Sequence, residues 1–137
     1  MALVTTYSNP VAREQFKTAD ITAAKTLTAS DSGTAYGLNA AAGVAVTLPA
    51  LKAGLWFRFT TKAAFATTDF TIVSSTNVIE GNVLVAGAHV AGSNENTISF
   101  VATAESLGDW VEIYSDGTNW YASGSGVTTG SITFTAP

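Results

Sequence analysis

The chain has 137 residues, a formal net charge of -4 and only 12% charged residues. A chain of this length can bury one hydrophobic core, so we predict a single globular domain. It contains no cysteine, which excludes disulfides and thiolate chemistry. Its six lysines and arginines form no basic stripe, so a nucleic-acid partner is disfavoured. No apolar stretch approaches the roughly 20 residues that span a bilayer, so no membrane partner is expected.

The first 18 residues differ in pattern from the rest of the chain. They show no period of two, contain Pro10 and carry a small positive charge, whereas the remainder is acidic. We predict an extended arm over residues 1–18, with a helical turn near residues 11–16, and a β-sandwich domain over residues 19–137. A frayed terminus is the alternative. The arm residues expected to contact another protein are Tyr7, Pro10, Arg13 and Phe16.

From Ala19 onward, short runs of alternating apolar and polar residues are separated by turn residues. This pattern is typical of antiparallel strands in a sandwich or barrel. We predict nine or ten strands and little helix, since no stretch keeps an apolar period of 3.6 residues. The first strand is expected to be continuous over residues 19–27, with Ile21, Ala23 and Leu27 on one face. The later strands are predicted in the runs TAYGLN, VAVTL, LWFRFT, DFTIV, VIEGNVLVAGAHVAG, TISFVAT, DWVEIYS, NWYAS and GSITFTA.

Glycines mark the predicted turns in the second half of the chain. In VIEGNVLVAGAHVAG, Gly81 is expected to form a turn and Gly87 a bulge or bend. Asp116-Gly117 between two apolar runs predicts a two-residue type I′ hairpin, in which both central residues take positive φ. This hairpin would pair the strand DWVEIYS with the strand NWYAS.

Residues able to carry catalysis are few and isolated. His89 belongs to no HxH or HExxH motif, so no metal site is predicted. Two suitably spaced carboxylates would suffice for glycoside hydrolysis. Asp109 and Glu112 are expected on opposite faces of one strand, however, and Glu105 in the loop before it. We therefore expect solvated carboxylates, no cofactor and no enzymatic activity.

Large aromatic residues beside charges are the strongest functional signal. The alternation in LWFRFT and DWVEIYS separates a purely apolar face from a second face that carries tryptophan, tyrosine and charged residues. Tryptophan, tyrosine and arginine are enriched at protein interfaces. Burial of both faces, with these residues in the core, is the alternative. The residues predicted to contact another subunit or a ligand are Trp56, Arg58, Trp110, Tyr114 and Trp120.

Two segments resemble the small decoration (cement) proteins of tailed bacteriophage capsids, namely KTLTASDSGTAYGLNAAAGVAVTLPALKAGLWFRFTTKAAFATTDFTIVSS and GDWVEIYSDGTNWYASGSG. The resemblance covers the chain from about Lys25 to Gly126. It implies a jelly-roll-like β-sandwich that forms a homotrimer on the outer capsid surface, at three-fold or quasi-three-fold positions. The implied partner is the major capsid protein, which the arm would contact unless it clasps a sister subunit. The implied location is the virion, after synthesis in the host cytoplasm.

Two other functions compete with this one. DGTNWY-like endings also occur in phage tail and fibre proteins, and a receptor-binding module would bind host-surface glycans through Trp56, Trp110, Trp120 or Tyr121. Fibre proteins usually trimerise through heptad stems or long repeats, and this sequence contains neither. A virion glycosidase is the third possibility, and the isolated carboxylates disfavour it.

Overall fold

The computed structural model describes residues 15–136, so Tyr7, Pro10 and Arg13 of the predicted arm lie outside the described residues, as does most of its predicted helical turn. Residues 15–136 confirm the predicted all-β architecture, with a single short 3-10 turn at Ala29–Asp31. No helix in this range is long and apolar enough to cross a membrane. The strands are β1 (Lys17–Ile21), β2 (Lys25–Thr26), β3 (Thr34–Leu38), β4 (Ala45–Thr47), β5 (Trp56–Thr61), β6 (Phe70–Val73), β7 (Ile79–Val85), β8 (Ala88–Glu95), β9 (Thr97–Phe100), β10 (Trp110–Ser115), β11 (Trp120–Gly126) and β12 (Ile132–Thr135).

Within the described residues, two sheets share one hydrophobic core. The seven-stranded sheet has the order β1-β3-β5-β10-β11-β7-β8, and the five-stranded sheet has the order β12-β9-β6-β4-β2. In β3, β5 and β6, alternate residues point into the core, because successive side chains of a strand lie on opposite faces. The largest fully buried side chains are aromatic and come from both sheets, among them Phe57, Phe59, Phe70, Phe100 and Trp120.

Both sheets are mixed, so the prediction of purely antiparallel strands is wrong. Over the described residues, five of the ten strand pairings are parallel. The first six strands alternate between the two sheets along the chain. Neighbouring parallel strands need a crossover connection. Here the connection between two parallel strands of one sheet passes through a strand of the facing sheet. When the chain comes back to the first sheet, the new strand lies beside the earlier strand of that sheet and runs parallel to it.

The continuous strand predicted over residues 19–27 is not formed. β1 ends at Ile21 in the seven-stranded sheet, and β2 belongs to the five-stranded sheet. Ile21 and Leu27 are nevertheless both buried, because the two sheets share a core. β1 begins at Lys17, so the predicted arm of residues 1–18 overlaps the edge of the sheet.

The predicted roles of Gly81 and Gly87 are reversed in the structure. Gly81 lies inside β7, at an irregularity in the pairing with β8, and has a φ of 137°. Ala86 and Gly87 form the two-residue turn between β7 and β8, and both have positive φ, as a type I′ turn requires. Gly81 permits close approach of β11, because a Cβ there would collide with the carbonyl oxygen of Ala122.

The β10–β11 hairpin has a four-residue loop, so the predicted two-residue turn is wrong. Ser115 pairs with the first residue of β11, and in this loop only Gly117 has a positive φ, at 96°. Asp116 Oδ1 accepts hydrogen bonds from the backbone N–H groups of Asn119 and Thr118, at 2.9 and 2.8 Å. These hydrogen bonds lower the pKa of Asp116. The carboxylate thus closes the loop together with the backbone hydrogen bond that Asp116 N–H donates to the carbonyl of Asn119, at 3.3 Å.

Gly81→Ala is expected to destabilise the protein more than Gly87→Ala. Both glycines have positive φ, which costs about 1 kcal/mol for any other residue. Only at Gly81 does the added methyl group meet the backbone of a neighbouring strand, whereas nothing lies within 4 Å at Gly87. We expect losses of about 1 kcal/mol at Gly87 and about 3 kcal/mol at Gly81 in urea unfolding. Equal losses would contradict the close approach of β11.

Candidate interaction surface

The solvent-facing side of the seven-stranded sheet, called the outer face below, carries side chains in rows that follow the strand register. One row consists of Trp56, Tyr114 and Tyr121, because Tyr114 pairs with both of the others. We call these three residues the aromatic row. The rings of Tyr114 and Tyr121 lie 5.5 Å apart between centroids, and Tyr114 is 52% exposed. Partly exposed rings of this kind offer a flat apolar surface to a partner.

A charge pair lies beside the aromatic row on the same face. Arg58 Nη1 donates a hydrogen bond to Glu112 Oε1 at 3.1 Å, across the neighbouring strands β5 and β10. Arg58 Cζ also lies 4.3 Å from the centroid of the Trp110 ring, a cation–π contact. Both charged side chains are about one-third exposed. Since each charge already has its partner, another protein can cover this area without burying an unpaired charge.

Four of the five residues predicted to contact a subunit or a ligand lie together on the outer face. They come from the paired strands β5 and β10 and are Trp56, Arg58, Trp110 and Tyr114. Among the predicted arm contacts, Phe16 falls within the described residues, and its side chain is 65% exposed just before β1. Contact by any of these residues stays a prediction.

Trp120 lies in the core, so its prediction as a contact residue is wrong. Its side chain is fully buried, and its ring lies 6.1 Å from that of Phe57 between centroids. If the hairpin loop has an even number of residues, Trp120 pairs with an odd-numbered residue of β10. The odd-numbered residues Val111 and Ile113 point into the core. Paired residues share a face of the sheet, so Trp120 must point into the core as well. This parity was a usable signal in the sequence. It places Tyr121, rather than Trp120, on the outer face.

A groove crosses the outer face above β3. Its floor includes Ala35 and Gly37, the small outward residues of that strand, and its walls come from β1 and β5. Thr18 and Thr60 line the two walls. The groove is open to solvent and has a volume of about 670 Å³. The groove forms because β3 presents only these two small residues on the outer face, whereas the neighbouring strands β1 and β5 present larger side chains there.

Asp20 and Lys62 bridge this groove at one end. Lys62 Nζ donates hydrogen bonds to both carboxylate oxygens of Asp20, at 2.8 and 2.9 Å. Asn39 Nδ2 donates a third, at 3.0 Å. The hydrogen bond from Lys62, and then that from Asn39, hold the pKa of Asp20 below its ordinary value. Gly37 lies beneath the pair, since a Cβ there would come within 2.8 Å of Asp20 Oδ1.

The carboxylates considered for glycoside hydrolysis each have a structural partner. Asp109 is 2% exposed and accepts two backbone N–H groups, so the prediction of a solvated carboxylate is wrong for this residue. Glu112 pairs with Arg58, and Glu105 Oε1 accepts the backbone N–H of Phe65 at 2.9 Å. In the part of the chain that the structure describes, no three acidic or histidine side chains are grouped so as to hold a metal ion. These acids stabilise strands and loops of the sandwich.

No family model matches the chain, and no curated protein or solved structure is detectably similar to it. The resemblance to decoration proteins therefore rests on the two sequence segments quoted above. Function is therefore inferred from the outer face, the groove and the loops beside them.

Asp20 should titrate below its ordinary pKa of 3.8 in the intact protein and closer to that value in Lys62→Met. A lowered pKa in the folded state means that the ionised carboxylate stabilises the fold. This contribution is present above the ordinary pKa and is lost as the pH falls through the lower, folded value. Carboxyl carbon shifts in an NMR titration measure both midpoints.

Asp116 is the internal control for this titration. Its pKa is lowered by N–H groups of its own loop, so its midpoint should be the same in the intact protein and in Lys62→Met. An Asp20 midpoint that also stays the same would show that Lys62 is not the cause of the shift.

Proposed function

We propose that this protein is a decoration protein of a tailed-phage capsid, which binds the outer shell as a trimer and stabilises it. The observation that carries the proposal is the composition of the outer face, where an aromatic row adjoins a paired arginine and glutamate. Aromatic residues and arginine are enriched in protein interfaces, and they supply most of the binding energy there. The two sequence segments that resemble decoration proteins support a capsid as the assembly that this face binds.

A decoration protein needs binding rather than catalysis. It attaches after the shell has expanded and holds neighbouring capsomers together against the pressure of the packed genome. A cyclic trimer presents each contact patch three times, so modest contacts per subunit give firm attachment through effective concentration. The predicted arm contacts would add to this attachment, with Phe16 exposed beside β1 at the edge of the sheet.

The resemblance further implies a jelly-roll connectivity for the sandwich. The two-sheet packing around one core supports this part of the proposal. The five parallel pairings depart from the antiparallel order of a jelly roll. Trimer formation and capsid binding depend on the outer face and not on that connectivity.

The partly exposed rings of the aromatic row also favour a second candidate function. A tail-fibre or receptor-binding module would use such flat apolar rings to contact the sugar rings of host-surface glycans. The two functions differ in the partner that a pull-down recovers. Binding to glycan-coated beads but not to capsids that lack the protein would favour the second function.

The purified chain is expected to be a trimer at micromolar concentration, with a mass about three times 14.1 kDa in multi-angle light scattering. Tyr114→Lys should lower the trimer fraction, because it places a charge in the exposed centre of the aromatic row. Thr71→Lys is the matched control, since Thr71 is a partly exposed position on the opposite sheet. A monomeric mass for the unmodified protein would contradict the proposal.

Capsid binding tests the same surface against its proposed partner. Co-sedimentation with expanded capsids that lack the protein should be weakened more than tenfold by Tyr114→Lys, which corresponds to about 1.4 kcal/mol. Thr71→Lys should bind as the unmodified protein does. Full binding by Tyr114→Lys would remove the outer face from the proposal.

A further inference from the structure

The charge pair at the bridged end of the groove has hydrogen-bonding capacity left for a ligand. Among the described residues, Asp20 Oδ2 accepts hydrogen bonds from both Lys62 and Asn39, whereas Oδ1 accepts one, from Lys62 at 2.8 Å. A carboxylate oxygen accepts up to two hydrogen bonds, and an ammonium group carries three N–H donors. One acceptor site on Asp20 Oδ1 and one N–H group of Lys62 therefore remain.

These two groups lie over the floor of the groove. A Cβ on Gly37 would come within 2.8 Å of Asp20 Oδ1 and within 2.9 Å of Lys62 Cδ. The carboxylate oxygen with the remaining acceptor site is thus the one above the floor. A partly used acceptor and a partly used donor lie side by side there, and the hydrogen bond between them keeps both in place.

A hydroxyl group matches this arrangement better than an anion or a cation does. A hydroxyl group both donates and accepts hydrogen bonds, so it can donate to Asp20 Oδ1 and accept from Lys62 Nζ at the same time. A phosphate or carboxylate would meet the like charge of Asp20, and an ammonium group would meet that of Lys62. Since the two charges form an ion pair, an uncharged ligand leaves neither of them without a partner.

The walls and floor extend the match to several hydroxyl groups. Thr18 and Thr60 line opposite walls, and each hydroxyl group both donates and accepts. Between the walls, Ala35 and Gly37 form a floor without polar side chains. A saccharide ring has the complementary pattern, with hydroxyl groups around its edge and C–H groups on its faces. The groove volume of about 670 Å³ also lies within the range of roughly 300 to 1,000 Å³ that is typical of small-ligand sites.

We propose that the groove binds an uncharged saccharide unit, with one of its hydroxyl groups between Asp20 and Lys62. Further hydroxyl groups bind Thr18 and Thr60, and the C–H face of the ring lies on the floor. The groove lies between β1 and β5, whereas the aromatic row extends from β5 to β11. The inference therefore goes beyond the proposed capsid role and does not depend on it. Because the groove is open to solvent, the unit can be a free sugar or part of a longer glycan.

Amide chemical shifts of the full chain test this site directly. The uncharged probes are methyl α-D-glucoside, methyl α-D-galactoside and N-acetylglucosamine. At least one of them should cause saturable shifts at the amides of Ala35 and Gly37, with a Kd on the order of 1 mM because an open groove covers one side of the ring only. Glucuronic acid and glucosamine are the charged counterparts and should bind more weakly. Tighter binding of either charged sugar would overturn the assignment of an uncharged ligand.

Variants of the groove show whether the shifts come from binding at this site. Ala35→Leu fills the floor and should abolish them, whereas Ala91→Leu, at an exposed position of β8 on the same face, should not. Thr18→Val and Thr60→Val each remove one hydroxyl group with little change of shape. Each should weaken binding about fivefold. Thr71→Val, on the opposite sheet, is the matched control and should bind as the unmodified protein does.

The trisaccharide of the sugar that binds most tightly distinguishes the two sources of the unit. Tighter binding of the trisaccharide than of the single sugar identifies part of a glycan chain. Equal or weaker binding identifies a free sugar. Both results support the site in the groove.

The saccharide site and the capsid role can fail separately. The absence of saturable shifts with every uncharged probe, at concentrations far above the expected Kd, would overturn the saccharide site. Shifts that Tyr114→Lys abolishes and Ala35→Leu does not would also overturn it, because they would place the sugar on the aromatic row. Ala35→Leu should co-sediment with capsids as the unmodified protein does. Weakened co-sedimentation of Ala35→Leu, together with no sugar binding by the unmodified protein, would assign the groove to the capsid surface instead.

Discussion

The pairing of β5 with β10, at the centre of the seven-stranded sheet, is the constraint on which the outer face depends. It sets Phe57 opposite Ile113 on the core side and Arg58 opposite Glu112 on the solvent side. A slip of one residue would expose the core residues and bury the charge pair, since side chains alternate with a period of two. Burial of Phe57 and Phe59 contributes roughly 1.5 to 3 kcal/mol for each side chain, more than a partly exposed ion pair of at most about 1 kcal/mol. Core burial therefore determines which residues face a partner.

With that register set, the neighbouring strands determine what the outer face offers. β11 adds Tyr121 beside Tyr114 and completes the aromatic row. β3 presents only small side chains on the same face, which opens the groove, and the contact between Asp20 and Lys62 ties the edge strand to β5 above that floor. At the end of the sheet, Asp109 joins two loops that each carry an exposed aliphatic residue. One sheet and the loops at its end thus carry the aromatic row, the charge pair, the groove and the exposed aliphatic residues, within a few strands of one another.

Period-two patterning was sufficient to orient Trp56 and Arg58, because it depends only on local alternation. It could not show that the sheets are mixed, since a strand alternates in the same way whether its neighbour is parallel or antiparallel. The groove depends on β3 lying between β1 and β5, and the contact of Asp20 with Lys62 depends on the same long-range order. Trp120 differs from these cases. Hairpin parity alone predicts its burial, whereas its size and its neighbours suggested a surface role.

The copy number of the protein in intact virions tests the central claim most directly. A decoration trimer occupies sites over the whole shell, whereas a tail or fibre component is confined to one vertex. Quantitative mass spectrometry, with the major capsid protein as the internal standard, measures this number. Hundreds of copies per particle, in a fixed ratio to the capsid protein, are the predicted result. A few copies to several dozen would contradict a role in capsid decoration.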